Sequence, residues 1–289
     1  MPATTAELVD LLKLHRENDS VFTGRHPKTI MQRSYGGQVL AQALQAAYQT
    51  VPEDRVVHSL HAYFLRPGSV DSTISYAVDA ARDGNTFSTR RVSAEQDDEI
   101  FSMSASFHRL EPGLEHADPM PTNVPAPLDC PTLADVMDAR FGAHPIWREW
   151  DALDVRFVGD SSPGGSIPPG RHVASMRIWV RTQEPLPDDV RVHHAVLAYL
   201  SDLTLLSVSI VPHPVAYVSS QLQTASLDHV MWFHREFRAD QWLLYDMYSP
   251  SASHALGYSS GRLFQEGRLV ASTAQEGLIR QVDQRQALS

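Results

Sequence analysis

The chain repeats itself, and that repeat limits its possible folds more than any other feature. Val39-Leu40-Ala41 returns as Val196-Leu197-Ala198 at an offset of 157. Phe64-Leu65-Arg66 returns as Phe233-His234-Arg235 at an offset of 169. Ile100-Phe101-Ser102-Met103 returns as Leu269-Val270-Ala271-Ser272 at that same offset. Apolar triplets recur by chance, but three matches in order, two of them in register, read as a duplication. The second copy then carries a loop 12 residues longer after its helix.

Each copy reads as a helix followed by strands. A short amphipathic helix runs from Thr5 to Leu14. Gly36-Gly37 marks a tight entry into an apolar helix over Gln38 to Tyr48, with Val39, Leu40, Ala43, Leu44 and Ala47 at helical spacing. Val56 to Phe64 alternates like a strand and ends at the Arg66-Pro67-Gly68 turn. Thr73 to Ala80, Thr86 to Glu95 and Glu99 to Arg109 follow as strands, with Arg82-Asp83-Gly84-Asn85 as a hairpin turn. In the second copy His193 to Ser207 reads as a helix and Ser226 to Arg235 as a strand. A helix needing cover and a twisted antiparallel sheet with open edges suit a sheet wrapped around a helix, and two copies bury an edge each. The expected fold is therefore α+β, a double hotdog made of two tandem hotdog repeats. We place the first repeat at residues 1–115, a proline-rich linker at 116–145 and the second repeat at 146–289. Six prolines between Pro112 and Pro131 make that connection extended rather than packed. Asp160 to Gly170 reads as a second loop.

Composition removes several function classes. There are 24 Lys+Arg against 34 Asp+Glu, a formal charge of −10. So acidic a surface repels phosphate backbones, which argues against a nucleic-acid partner and against a polybasic membrane anchor. Met1 to Asp10 carries no targeting pattern, and the longest apolar run, Val196 to Val211, is too short and too polar to span a bilayer. The end, Ala287-Leu288-Ser289, is not a peroxisomal Ser-Lys-Leu signal. The expected location is the cytoplasm, without membrane insertion. The single cysteine, Cys130, sits between Asp129 and Pro131 with nothing to activate it and reads as inert.

No Gly-x-Ser-x-Gly elbow, dinucleotide fingerprint, phosphate loop or His-Glu-x-x-His occurs. His193-His194 points its rings to different faces of a helix, and His58-x-x-His61 to opposite faces of a strand, so no metal site is expected. Asp202 stands within Val196 to Leu206. Burial there would strip its hydration and raise its pKa, as suits a general base near neutral pH. The plain alternative is that it lies on the wet face of the helix or caps a turn. Ser226 opens a strand and could hold a water, or simply start the strand. Gln275, after Val270-Ala271-Ser272-Thr273-Ala274, could hold a water and a substrate carbonyl, or reach solvent. His58 and His229 could act as acids or bases, though strand histidines are more often structural.

Five segments carry a family resemblance: Gly36-Gly37-Gln38-Val39, Val57 to Gly68, Arg82 to Phe87, Leu227 to Arg235 and Ala271 to Gly277. Together they resemble the type II acyl-CoA thioesterases, the TesB-like family, over roughly Leu8 to Arg280. The resemblance implies hydrolysis of fatty acyl-CoA to free fatty acid and CoA on a double hotdog, with no metal or organic cofactor. It implies a catalytic trio of Asp202, Ser226 and Gln275. Ser226 stands where the family has Thr or Ser. It leaves His58 as a candidate for substrate binding and a homo-oligomer, dimer or tetramer, as the expected assembly. By the offsets above, the first-copy counterparts of the trio are Gln45, Val57 and Ser106, so the chemistry falls to the second copy. Two other readings use the same fold: a non-catalytic acyl-CoA-binding sensor, which needs no trio, and an enoyl-CoA hydratase, which needs a histidine beside Asp202, with His58 the candidate.

Overall fold

A computed structural model describes residues 1–168, 172–215 and 221–282. Pro169 and Gly170 of the second expected loop and the terminal Ala287-Leu288-Ser289 lie outside the described residues. The elements of the first half are α1 (Thr5–Leu11), β1 (His15–Arg16), β2 (Val21–Gly24), α2 (Gly36–Tyr48), β3 (Val56–Phe64), β4 (Ile74–Asp83), β5 (Phe87–Glu95) and β6 (Glu99–His108). Then come α3 (Leu133–Phe141), β7 (Leu153–Asp160), β8 (Ala174–Thr182), α4 (Val190–Ser201), β9 (Leu222–Ser226), β10 (Asp228–Phe233), β11 (Leu243–Ser253), β12 (Leu256–Gln265) and β13 (Arg268–Gln281).

All strands join one antiparallel sheet in the order β1-β2-β4-β5-β6-β3-β10-β13-β12-β11-β8-β7, with β9 also paired to β13. The halves meet at β3 and β10, from Asp228 opposite Tyr63 to Trp232 opposite Ser59. That pairing uses one edge from each half, as the duplication predicts. Burial alternates strictly along β5 and β8, so one face of the sheet is packed and the other is not.

The packed face holds two antiparallel helices. Every residue of α2 except Gly36 and Gln45 is buried, which explains why this Ala-rich helix is apolar nearly all round. Across the helix pair Tyr35 Oη donates to Tyr199 O at 2.8 Å, Gln45 Nε2 donates to Arg191 O at 3.2 Å, and Tyr48 Oη lies 2.6 Å from His194 Nδ1. Gly37 permits this approach, because a Cβ there would stand 2.3 Å from Tyr199 O. The N-terminus of α2 therefore lies beside the C-terminus of α4.

Several sequence expectations change. The first helix ends at Leu11, not Leu14, and the strand expected to end at Ala80 runs on to Asp83, so Arg82 and Asp83 of the expected hairpin turn lie in β4. The linker expected at 116–145 contains helix α3, capped by Thr132 Oγ1, and its extended part is tied to the second half: Trp179 Nε1 donates to Pro125 O and Phe157 N to Pro131 O. The helix expected to reach Ser207 stops at Ser201, and Leu206–Ile210 forms a separate 3-10 turn. The strand expected from Ser226 to Arg235 is two strands broken at Leu227. Structural equivalence also shifts. The C-caps of α2 and α4 are Gln49 and Asp202, an offset of 153, not 157. Phe64 opposes Phe101 while Phe233 opposes Ala271, so β6 maps on β13 at 170, not 169. The counterparts of Asp202, Ser226 and Gln275 are thus Gln49, Val57 and Ala105; Val57 stands as expected. Buried helices and strands offer apolar triplets at every turn, so a triplet match can slide by one turn or one residue.

Candidate active site

Asp202 is the C-cap of α4, neither inside the helix nor on its wet face. Its side chain is only 5% exposed. Gln275, on β13, is buried, and its Nε2 donates to Asp202 Oδ1 at 2.6 Å. Ser226, the last residue of β9, donates from Oγ to the same oxygen at 3.3 Å. The chain breaks at Leu227 just after Ser226: β9 pairs with β13 through Gly277, while β10 runs between β13 and β3. A backbone N–H from Gly37 supplies a further bond to Asp202. Gly36 allows this, since a Cβ there would lie 2.7 Å from Asp202 Oδ2 and 3.0 Å from the Phe64 ring. Asp202, Ser226 and Gln275 are therefore brought together from three elements of the second half, against the first turn of a helix from the first.

The electrostatics of Asp202 follow from opposed effects. Burial disfavours the charged form and dominates; the hydrogen bonds from Gln275, Ser226 and Gly37 pull the other way. The carboxyl settles at about 6, well above the usual carboxylate range. The negative end of its own helix opposes the charge, and the positive end of α2 favours it.

His58 is placed elsewhere. Its Nε2 lies 2.8 Å from Ser106 Oγ, and its ring packs edge-on to Phe87 and His108. The residue that sequence reasoning set aside is His229. It is fully buried, and its Nδ1 lies 3.9 Å from Asp202 Oδ1. Only the break at Leu227 brings it there, and no spacing rule announces that break. Cys130 is buried, and burial together with Asp129 raises its thiol pKa. Among the described residues no cluster of three or more His, Cys, Asp or Glu could hold a metal ion, and no helix is long and apolar enough to cross a membrane.

Two family profiles match the chain: one described as acyl-CoA thioesterase over residues 158–278, and one described as acyl-CoA thioesterase N-terminal domain over 25–108. The acyl-CoA thioesterase 2 of Haemophilus influenzae is 36% identical over 94% of this chain and 96% of its own length. The chain belongs to the type II acyl-CoA thioesterase family. Human acyl-coenzyme A thioesterase 8 is 37% identical over 93% of this chain and 88% of its own. The crystal structure of the acyl-CoA thioesterase II TesB2 from Mycobacterium marinum is 38% identical, with a TM-score of 0.81 over 96% of this chain and 98% of that one. A protein from Alicyclobacillus acidocaldarius described as having a hot dog fold has a TM-score of 0.75 at 20% identity, which bears on the fold alone. The fold is the tandem hotdog expected from the repeat, and the thioesterase family is a family of hydrolases acting on acyl-CoA thioesters. The hydratase reading asked for a histidine beside Asp202; His229 stands there, but the family's chemistry is hydrolysis.

Proposed function

We propose that this thioesterase hydrolyses fatty acyl-CoA with a water activated by Asp202, Ser226 and Gln275. The observation that carries this reading is one buried carboxylate, raised to about 6, that accepts hydrogen bonds from both the serine and the glutamine. Such a carboxylate is ionised at neutral pH yet basic enough to take a proton. The water oxygen bonds to the thioester carbon as its proton passes to Asp202. The carbonyl becomes an oxyanion, and the Gly36 N–H, at the positive end of α2, is the donor proposed for it, since the next three amides already serve Asp202 and Tyr35 O. Collapse breaks the C–S bond, and the CoA thiolate leaves, recovering the proton from Asp202. A thiolate is a good leaving group, so no separate strong acid is required. The first repeat supplies the helix N-terminus and walls, since Gln49, Val57 and Ala105 offer neither base nor hydroxyl. The substrate is acyl-CoA; assembly as a homo-oligomer and a cytoplasmic location belong to the same proposal.

Release of free thiol from a panel of acyl-CoAs of graded chain length tests the activity. A sensor with a pocket and no chemistry would bind the panel and release none. Ser226→Ala and Gln275→Ala should each lower turnover roughly 10–100-fold, the worth of a hydrogen bond to a charged group. The double variant should fall well short of the product, because both side chains act on one carboxylate and one water. Gln49→Ala, at the equivalent place in the first repeat, should stay within about threefold. A large loss at Gln49 with an unchanged melting temperature would give the first repeat a catalytic part and sink this division of roles. The pH profile is a second check. Turnover should fall about tenfold per pH unit below a limb near 6, as Asp202 takes up its proton. A profile flat from about pH 5 to about pH 8 would remove Asp202 from the mechanism.

A further inference from the structure

His229 has no exposed surface and no part in the steps above. Its Nε2 lies 2.9 Å from Ser201 Oγ. Its Nδ1 makes no hydrogen bond and lies 3.9 Å from Asp202 Oδ1. Burial also pushes the imidazole down to about 3, so the ring is neutral at working pH and only one of its nitrogens carries a hydrogen.

The tautomer is decided by the two neighbours. Ser201 has one hydroxyl hydrogen and three acceptors in reach: Ala198 O at 2.9 Å, His229 Nε2, and the weak acceptor Met231 Sδ at 3.4 Å. If it goes to Ala198 O, Nε2 carries the ring hydrogen and a bare Nδ1 sets its lone pair against the Asp202 carboxylate. If it goes to Nε2, the ring hydrogen is on Nδ1 and faces the negative oxygen. The second arrangement is favoured wherever Asp202 is charged. We infer that His229 is a positioning residue for Asp202: held as the Nδ1–H tautomer by the Ser201 hydroxyl, it turns that N–H toward Asp202 Oδ1 and favours the carboxylate. The inference rests on the reading of Asp202 as the base. A closing of about 1 Å makes the contact a hydrogen bond, and catalytic hydrogen bonds are commonly long in ligand-free sites. The other groups around Asp202 are uncharged: Ser226 on β9, Gln275 on β13, the Gly37 amide on α2, and Tyr245 on β11, whose phenol burial raises. His229 is therefore the titratable neighbour whose hydrogen can be placed for or against the charge.

The test compares turnover–pH profiles on one acyl-CoA for the wild type, His229→Leu, His229→Asn and Asp202→Asn, with melting temperatures alongside. Asparagine places an amide N–H near the position of Nδ1; leucine fills the space without a donor. Losing a donor to the charged form raises the pKa of Asp202. His229→Leu should therefore move the acid limb up by about half a pH unit or more, with turnover recovered above the limb. His229→Asn should keep the limb near its wild-type place. A folded leucine variant with an unmoved limb, or an asparagine variant that moves as far as leucine, overturns the proposal. A second measurement needs no variant: ring ¹⁵N chemical shifts of histidine-labelled wild type, with His229 assigned through its own backbone. Hydrogen on Nδ1 is expected, and hydrogen on Nε2 overturns the proposal. Failure of the base reading looks different: Asp202→Asn would keep more than a tenth of wild-type turnover and the same acid limb, whatever His229 does.

Discussion

Asp202→Asn is expected to cut turnover by ~10²–10⁴-fold, the usual worth of a general base, in a protein that melts no lower than the wild type at pH 7. The two halves of this result have one cause. The carboxyl is shifted from 3.8 to about 6 because burial disfavours its charge. An acid whose folded pKa is raised contributes its stability fully below the unfolded value, and that stability is lost as pH rises through the folded value. For Asp202 the loss falls between about pH 4 and about pH 6, and by pH 7 ionisation has cost roughly 3 kcal/mol. Asparagine removes that cost while keeping an oxygen to accept from Gln275 and Ser226. It also removes the base, so the gain in stability is exchanged against the chemistry. The measurement is turnover on one acyl-CoA beside a melt at pH 7. Retention of more than a tenth of wild-type turnover would show that Asp202 is not the base, and a strongly lowered melting temperature would show that its role is structural.

A chain ending at Pro127 is expected to give no cooperative thermal transition and to be largely insoluble. The cut leaves β3 paired to β6 but without β10, and bares one strand edge along five residues, Ser59, Leu60, His61, Ala62 and Tyr63. It also strips α4 from α2, leaving Tyr35, Tyr48 and the small residues between them facing water; Tyr35 loses Tyr199 O, and Tyr48 loses His194. The N-terminus is tied across as well: Met1 pairs with Glu149, and Thr5 Oγ1 accepts from Glu184 N. A long bare edge beside a bare apolar helix is an aggregation hazard rather than a domain surface. Soluble yield and a melt followed by far-UV circular dichroism decide the matter. A soluble fragment with a sharp transition would mean that each repeat carries its own complete core.

Much of this molecule is readable from its residues because it alternates. β3 runs over Val56 to Phe64 as period-two patterning predicts, and β5 and β6 begin and end within one residue of expectation, since a sheet with one packed face writes its register into the chain. The duplication is readable for the same reason, and it carries the tandem architecture with it. The Asp, Ser and Gln were legible as candidates only through the segments around them, because each residue taken singly has an ordinary structural explanation. What the chain could not announce is where the pattern stops. No glycine or proline in Val196 to Leu206 ends α4 at Ser201; beyond the stop, Leu206 and Ser209 seat on the bare backbone of Gly277 and Gly257, where a Cβ would lie 2.5 Å and 2.3 Å away. That stop turns Asp202 from a helix-face residue into a cap aimed at the first turn of α2. The break at Leu227 likewise sends Ser226 to one strand and His229 to another, and brings both to the same carboxylate. Periodicity determined the elements and their copies; the distances of 2.6, 3.3 and 3.9 Å around Asp202 were decided by tertiary packing, since they join residues between 24 and 73 positions apart whose approach depends on how two helices and a sheet close on one another.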